Sequence, residues 1–240
     1  MPITVICGDQ DLSALWIISK LQERGVGVDL VTAAALGAAV GWEHFLENGE
    51  VKSEVALPDG RILRFGHDDV VLNRLVQPPS ERINRIAGAD RDYALQEMNA
   101  LYLSWLFSLP GKVVNRATPQ GLAGSMRHPS HWTALARAAG LPVAAWRQSD
   151  EDDPNDLWRP RQAAFTVFAV DDRIVAPDGL APNIVDGCKA LARASDATLL
   201  GIDFVARADN SCWEFIGASP VPALVQGGDQ LADAIAALQD

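Results

Sequence analysis

The chain has 240 residues, of which 48% are hydrophobic and 21% are charged, which is the composition of a folded globular protein rather than a disordered one. It contains 20 Lys and Arg against 31 Asp and Glu, giving a formal net charge of −11 at pH 7. This acidity argues against nucleic acids and anionic membrane surfaces as partners, because both are themselves negatively charged.

The cysteines and the apolar runs indicate a cytoplasmic protein. Cys7, Cys188 and Cys212 are too few and too far apart for a disulfide framework or a zinc site. No apolar run approaches the roughly 20 residues that a membrane helix needs, and the N-terminus lacks the basic segment of a signal peptide. We therefore expect a cytoplasmic location.

The first half of the chain alternates strand and helix patterns. The apolar run at 3–7 predicts a buried strand, the helical spacing over 12–21 a helix, and the run at 26–31 a second strand. A strand–helix–strand unit of this length predicts a parallel sheet. Further along, the patterns predict a hairpin turned at 58–60, a strand at 70–72, a helix over 90–109 and a strand at 113–115.

The second half has a different order of elements. Two hairpin-like strand pairs stand out, 165–170 with 173–175 and 199–205 with 212–216. Helical patterns cover 130–139, 183–194 and 229–238. The fold class is therefore α/β, with a parallel first half and a more antiparallel second half.

Two short motifs have simple structural interpretations. Gly8-Asp9-Gln10 lacks the glycine spacing of a phosphate-binding loop, so we interpret it as a strand-to-helix turn. His128 and His131 have no further metal ligands nearby in the sequence. We instead expect Ser130 to cap a helix that begins at His131.

Several arginines are grouped in the middle of this acidic chain. They are Arg74, Arg82, Arg85, Arg91 and Arg116. Arg74, Arg85 and Arg116 are candidates for holding a carboxylate or a phosphate of a ligand or partner. The alternative is an ordinary solvated surface with salt bridges to Glu81, Asp90 and Asp92.

Two strand segments near the C-terminus carry a family resemblance. They are Leu200-Gly201-Ile202-Asp203-Phe204 and Trp213-Glu214-Phe215-Ile216-Gly217-Ala218-Ser219-Pro220, preceded in order by the segments 71–75, 113–117 and 132–143. Together they resemble the ATP-grasp ligase superfamily, and most closely its RimK-like, peptide-modifying branch. The resemblance implies a Rossmann-like pre-ATP-grasp domain with a parallel sheet over 1–112. It also implies a reduced ATP-grasp-like α+β domain over 113–240.

In that family, ATP and magnesium lie between a lid subdomain and the C-terminal sheet, and a carboxylate is activated as an acyl phosphate for attack by an amine. Asp203 matches the family's aspartate and is the metal candidate. The family's metal-binding E-x-N would fall on Gly217 and Ser219, which cannot replace a carboxylate and a carboxamide. Strict strand alternation predicts that Glu214 points to the opposite face. Two positions before the aspartate, where the family has a basic residue, this chain has Gly201.

The lid is the second departure from the family. Only residues 144–164 fill the interval where the family has a lid with two phosphate-binding lysines, and no lysine occurs between Lys112 and Lys189. Arg159 and Arg161 are the candidate phosphate contacts, but residues 150–156 supply five competing acids. We therefore expect a truncated lid.

Two functional hypotheses follow. The first is a degenerate ATP-grasp-like protein without ATP or magnesium, which binds a peptide or partner protein in a peptide-modification pathway. A homodimer is a further hypothesis: the helix around Trp105 and the residue Trp158 are candidates for a protein or dimer interface, whereas core packing is the favoured interpretation of Trp105. The alternative is an active ATP-dependent carboxylate–amine ligase with magnesium on Asp203, Glu214 re-aimed by a β-bulge, and Arg159 or Arg161 on phosphate. A small-molecule binder using the arginine-rich first half is a third hypothesis.

Overall fold

The computed structural model describes residues 2–48, 50–79, 83, 88–146, 162–207 and 212–239. The chain divides into two compact units. The first unit is Met1–Met126 with Ile235–Asp240, and the second is Arg127–Ala234.

The first unit holds seven strands and three helices in its described residues. In chain order they are β1 (Ile3–Cys7), α1 (Leu12–Glu23), β2 (Val28–Thr32), α2 (Ala33–Gly37), β3 (Gly41–Glu47), β4 (Glu50–Ala56), β5 (Ile62–Leu63), β6 (Val70–Arg74), α3 (Gly88–Ser108) and β7 (Lys112–Val114).

The later elements begin with α4 (Pro129–Ala138). They continue with β8 (Phe165–Val170), β9 (Arg173–Val175), α5 (Pro182–Ser195), β10 (Leu199–Ala206), β11 (Trp213–Ser219) and α6 (Gly228–Ala236), with short 3₁₀ helices at Leu224–Gly227 and Ala237–Gln239.

A parallel sheet forms the centre of the first unit, as the strand–helix–strand pattern predicts. Its order is β2-β1-β6-β7, and Ile3 of β1 lies opposite Val28 on one side and Val70 on the other. Every residue of β1 is buried, as expected for a mostly apolar strand at the centre of a parallel sheet. The strand order reverses between β1 and β6, and the carboxyl edge at such a point is where ligands bind in many α/β folds.

A second, antiparallel sheet of order β3-β4-β5 packs on α3 in the same unit. Trp42 of β3 places its ring 5.2 Å from that of Tyr102 and 5.1 Å from that of Trp105. Trp105 is fully buried, so it belongs to the core and cannot form part of a dimer interface. Its proposed partner in that interface, Trp158, lies outside the described residues.

His44 connects this sheet to α3, because each of its ring nitrogens takes part in one hydrogen bond. Its Nδ1 lies 2.6 Å from Ser53 Oγ on β4, and its Nε2 lies 2.9 Å from Ser104 Oγ on α3. Desolvation by burial lowers the pKa of His44 from its ordinary value, so the neutral ring is favoured in the fold.

The second unit is built on an antiparallel sheet of order β11-β10-β8-β9, as the two hairpin-like patterns predict. One face of this sheet forms the core. Val167 of β8, Ile202 and Phe204 of β10, and Phe215 of β11 pack there with Trp132 and Leu191 of the helices. The other face carries Asp203 and Thr166, and it is described with the candidate site.

Helix α4 begins earlier than predicted. His128, not Ser130, is its N-cap, and its Nδ1 accepts a hydrogen bond from the Ser130 backbone N–H. Pro129 is the first helical residue, a position at which proline is favoured because its missing N–H would have no partner there.

The first unit continues past residue 112, because β7 pairs with β6 in the parallel sheet. Residues 113–126 therefore lie in the first compact unit. The boundary at residue 112 between two family domains, which the resemblance implies, is a separate statement and stays a prediction. Among the described residues, no helix has both the length and the apolar character needed to cross a membrane.

We expect replacement of His44 by glutamine to reduce the loss in the free energy of unfolding that occurs as the pH becomes acidic. The folded-state pKa of His44 is lowered from 6.5, so the unfolded chain binds the proton first as the pH falls. The stability that neutral His44 contributes is complete above about pH 6.5 and is lost as the pH falls through the folded-state pKa. Urea unfolding at several pH values between about 5 and 7.5 gives the free energy of unfolding at each pH. Plotted against pH, this free energy should rise less steeply for His44→Gln than for the wild type. An equal slope in both proteins, with His67→Gln as control, would contradict this.

Candidate functional site

Arg74 forms a buried ion pair at the carboxyl edge of the parallel sheet. Its side chain is 5% exposed, its Nε lies 2.7 Å from Asp11 Oδ2, and its Nη2 lies 3.1 Å from Asp11 Oδ1. Asp11 also caps α1 by accepting a hydrogen bond from the Ala14 N–H at 3.0 Å. Asp11 is thus a partner of Arg74 that the sequence pattern does not indicate, and Glu81 lies outside the described residues. This fork connects the end of β6 to the start of α1.

Arg116 donates to the chain that follows α3. Its Nη1 bonds the carbonyl oxygens of Phe107, at 2.8 Å, and Leu109, and its Nη2 bonds that of Gly111 at 3.0 Å. A guanidinium at this position satisfies carbonyls that have no partner within the helix. Arg74 and Arg116 therefore hold parts of the fold together. Arg82, Arg85, Arg159 and Arg161 lie outside the described residues.

Asp203 lies on the sheet face opposite the core of the second unit, directly across from Thr166 of β8. Thr166 Oγ1 is 2.6 Å from Asp203 Oδ1 and 2.7 Å from Gln226 Oε1. Burial raises the pKa of Asp203 above its ordinary value, and the hydrogen bond from Thr166 opposes this in part. Since a hydroxyl has one proton, Thr166 donates to only one of its neighbours at a time. A protonated Asp203 can donate to Thr166, which then donates to Gln226, so the protonated form completes the chain.

A β-bulge places Glu214 on the same face as Asp203. Along the β10–β11 pair, Asp203 lies opposite Gly217 but Phe204 lies opposite Phe215, so Ile216 is an extra residue without a partner. Val205 then faces Glu214. Since cross-strand partners share a face, as do residues two apart on one strand, Glu214 and Asp203 lie on one face. The prediction from strict alternation, that Glu214 points to the opposite face, is wrong because the bulge shifts the alternation by one residue.

The other positions on this face do not supply the side chains of the family's pattern. A Cβ added at Gly217 would meet no atom within 4 Å, so the space beside it is open. Ser219 uses its Oγ to accept a hydrogen bond from the Val221 N–H at 3.1 Å. At Gly201 the situation is reversed, because an added Cβ would overlap with the ring of Pro222. A basic side chain at position 201 therefore cannot be accommodated without moving Pro222.

A cavity of about 550 Å³ opens beside Thr166 and Phe168 on this face. Gln226, Gln230 and Asp178 contribute its polar groups, and the lining residues that the structure describes include no lysine or arginine. Strands β8, β10 and β11 also contain none. Arg207, just beyond β10, lies 3.8 Å from Glu214 through its Nε. Arg173 of β9, which lies opposite Val170, is an exposed cation on the same face, toward the end of β8 away from Thr166. Close to Asp203 and Thr166, the described residues thus offer no cation for nucleotide phosphates other than Arg207.

The described residues do not fit a magnesium nucleotide well. Mg²⁺ is commonly held by one or two carboxylates together with substrate phosphates. Asp203 and Glu214 share a face, but burial raises the pKa of Asp203, which makes its charged form more costly, and Glu214 lies beside Arg207. No group of three or more His, Cys, Asp or Glu side chains in the described ranges is arranged to hold a metal ion.

Comparison with solved structures gives the fold. The macrocyclase MdnC of Microcystis aeruginosa MRC, bound with the precursor peptide MdnA, matches with a TM-score of 0.71 at 12% identity, over 99% of this chain and 98% of its own. The ATP-grasp ligase PsnB, complexed with a phosphomimetic variant of a minimal precursor, Mg and ADP, matches with a TM-score of 0.68 at 16% identity, over 100% and 99%.

A third structure agrees. It is a RiPP-associated ATP-grasp ligase of Chryseobacterium gregarium in complex with ADP and with a leader and core peptide, with a TM-score of 0.67 at 10% identity, over 99% of this chain and 96% of its own. This chain has the ATP-grasp fold. The resemblance identified from the sequence and the α/β fold class are confirmed. No family model and no curated protein sequence matches the chain.

Replacing Arg74 by methionine should destabilise the first unit strongly. The change leaves Asp11, whose side chain is 14% exposed, without its cationic partner, and loss of one member of a buried pair costs about 3 kcal/mol or more. The matched control is Arg61→Met, because Arg61 is 40% exposed and its ion pairs with Asp29 and Asp59 are partly hydrated. Loss of that surface cation should cost about 1 kcal/mol or less. Urea unfolding measures both, and equal losses would contradict the structural role of Arg74.

Replacing Asp203 by asparagine should stabilise the protein at neutral pH. The amide imitates the protonated acid, because it can donate to Thr166 without the cost of a partly buried charge. The folded-state pKa of Asp203 is raised from 3.8, so the stability linked to its proton is present below that value and is lost as the pH rises through the folded-state pKa. The gain from Asp203→Asn should therefore shrink as the pH is lowered toward 4. Thermal unfolding at several pH values tests this, and Asp178→Asn, an exposed acid of the same cavity, should show no such gain.

Proposed function

We propose that this chain acts in a peptide-modification pathway as a protein that binds a peptide, or a partner protein that carries one, and does not itself perform an ATP-dependent ligation. The fold supports the first part, since the solved proteins that share it include MdnC bound with a precursor peptide and a ligase bound with a leader and core peptide. The net charge of −11 supports a peptide or protein partner over a nucleic acid.

The observation that carries the second part is the packing of Pro222 against Gly201. In the family the residue two positions before the aspartate is basic, and here the ring of Pro222 takes the space that such a side chain needs. The same face holds Asp203 in a hydrogen-bonded chain with Thr166 and Gln226, which uses the carboxyl group within the protein. These features support a face that no longer carries a magnesium nucleotide. The truncated lid stays part of the proposal.

One observation favours the alternative, an ATP-dependent carboxylate–amine ligase with an atypical site. The bulge at Ile216 brings Glu214 to the face of Asp203, so two carboxylates are available on one side of the sheet. In that case Asp203 and Glu214 would hold the metal, and Arg159 or Arg161, beyond the described residues, would have to meet the phosphates. This requires Asp203 to be ionised and Glu214 to leave Arg207.

Calorimetric titration of Mg-ATP into the purified protein distinguishes these functions. We expect no saturable heat, because the described residues around Asp203 and the cavity beside Thr166 offer no cation for the phosphates except Arg207, which lies beside Glu214. The ligase hypothesis instead requires a micromolar dissociation constant that is lost in both Asp203→Asn and Glu214→Gln. Such a result would overturn the binding-only proposal. ATP titrated without magnesium is the control, because binding that persists there does not involve the carboxylates as metal ligands.

A further inference from the structure

The open edge of β3 is the most accessible strand edge of the first unit. In the sheet order β3-β4-β5, β3 has a neighbour on one side only, and no other strand in the described residues pairs with it. Five of its seven residues are exposed, among them Phe45 at 59% and Leu46 at 64%. Such an edge presents unpaired backbone N–H and C=O groups, which are a template for a further strand.

The outward face of β3 carries a regular pattern of charge and apolar area. Glu43, Phe45 and Glu47 lie two residues apart, so their side chains leave the same face at intervals of roughly 7 Å. Neither Glu43 nor Glu47 forms an ion pair with any residue that the structure describes. Glu43 lies opposite Glu54, whose charge is taken up by Arg64 at 2.7 Å. Lys52 of β4 lies opposite Phe45 on the same face, so one cation accompanies the two acids, and the pattern of Glu43, Phe45 and Glu47 keeps a net negative charge.

A cavity of about 470 Å³ adjoins this pattern. Phe45, Val51 and Phe65 supply its apolar lining, and Glu43 lies at the same cavity. An apolar side chain that follows a backbone along β3 has room to pack there. The edge thus combines main-chain hydrogen-bonding groups with a place for one apolar side chain, which are the two requirements of recognition by strand addition.

We propose that β3 binds an extended peptide by adding it to the sheet as a further strand, and that this peptide carries basic side chains two positions before and two positions after an apolar one. The basic side chains would pair across the strands with Glu43 and Glu47, and the apolar one would contact Phe45. The inference rests on the proposed function, because it identifies the chemical class of the peptide and the surface that receives it.

Charge also decides against a second copy of this chain as the occupant. Two β3 strands paired edge to edge would bring Glu43 and Glu47 of one copy toward the same acids of the other, and like charges opposite one another destabilise a sheet. A basic peptide instead converts both positions into opposite-charge pairs. The acids thus oppose self-association and favour a cationic partner.

The test uses a fluorescein-labelled pentapeptide with lysine at positions 1 and 5, valine at position 3 and threonine at positions 2 and 4, so that two lysines flank the valine on one face of the strand, and follows its anisotropy with the full-length protein. We expect saturable binding that weakens with added salt, and roughly tenfold weaker binding by the Glu43→Gln/Glu47→Gln double variant, since two cross-strand charge pairs are lost. The control variant Glu23→Gln/Asp172→Asn removes the same amount of charge from exposed ion pairs elsewhere and should bind like the wild type.

Hydrogen exchange locates the peptide. Amide protection should rise within Gly41–Glu47 when the labelled peptide binds, and should not rise at β5, the opposite edge of the sheet. Equal affinity of the double variant and the wild type, or protection that appears only on other elements, would overturn the inference. So would a β3-dependent dimer seen by light scattering without peptide. Saturable Mg-ATP binding would contradict the proposed function but not peptide binding at the β3 edge. Peptide binding that leaves the amides of β3 unprotected would contradict only the inference about β3.

Discussion

The pairing of β10 with β11 decides the chemistry of the second unit, because a single unpaired residue sets which side chains share its open face. Phe204 and Phe215 must both reach the core, and they do so as direct partners. Ala218, three residues beyond Phe215, also packs on the core, which strict alternation would not allow. The extra residue, Ile216, reconciles the two requirements. Core packing therefore fixes the position of the bulge, and the bulge places Glu214 on the same face of the sheet as Asp203.

Once that face is set, its polar groups serve the fold. Asp203, Thr166 and Gln226 link β8, β10 and the 3₁₀ helix Leu224–Gly227 through a hydrogen-bonded chain. Pro222 packs against Gly201, in the space that a side chain at position 201 would occupy. Each contact fills a position where the ATP-grasp resemblance implies a ligand for magnesium or phosphate. A desolvated carboxylate is costly, which explains why burial raises the pKa of Asp203.

The sequence predicts the order and type of most elements, because their signals are local. The run Ile3–Cys7, the helical spacing within α1 and the turn after Val170 each determine an element without reference to the rest of the chain. Strand β3 escapes prediction, since Trp42 and His44 are placed by contacts with α3, about 60 residues away in the sequence. The bulge is predicted only within the alternative ligase hypothesis, although a glycine next to Ile216 in a strand pattern is a recognised sign of one.

The arginines show a second limit of sequence reasoning. Charge grouping along the chain places Arg74 near Glu81 and Asp90, but the parallel sheet brings it to Asp11, 63 residues earlier. A side chain is therefore assigned to the fold or to a ligand by the partner that topology supplies, not by its neighbours in sequence. The same reasoning gives the acids of β3 their meaning. Topology leaves Glu43 and Glu47 at an edge of the sheet with Lys52 as the one described cation opposite Phe45 between them, so the edge keeps a net negative charge that a cationic partner can pair with.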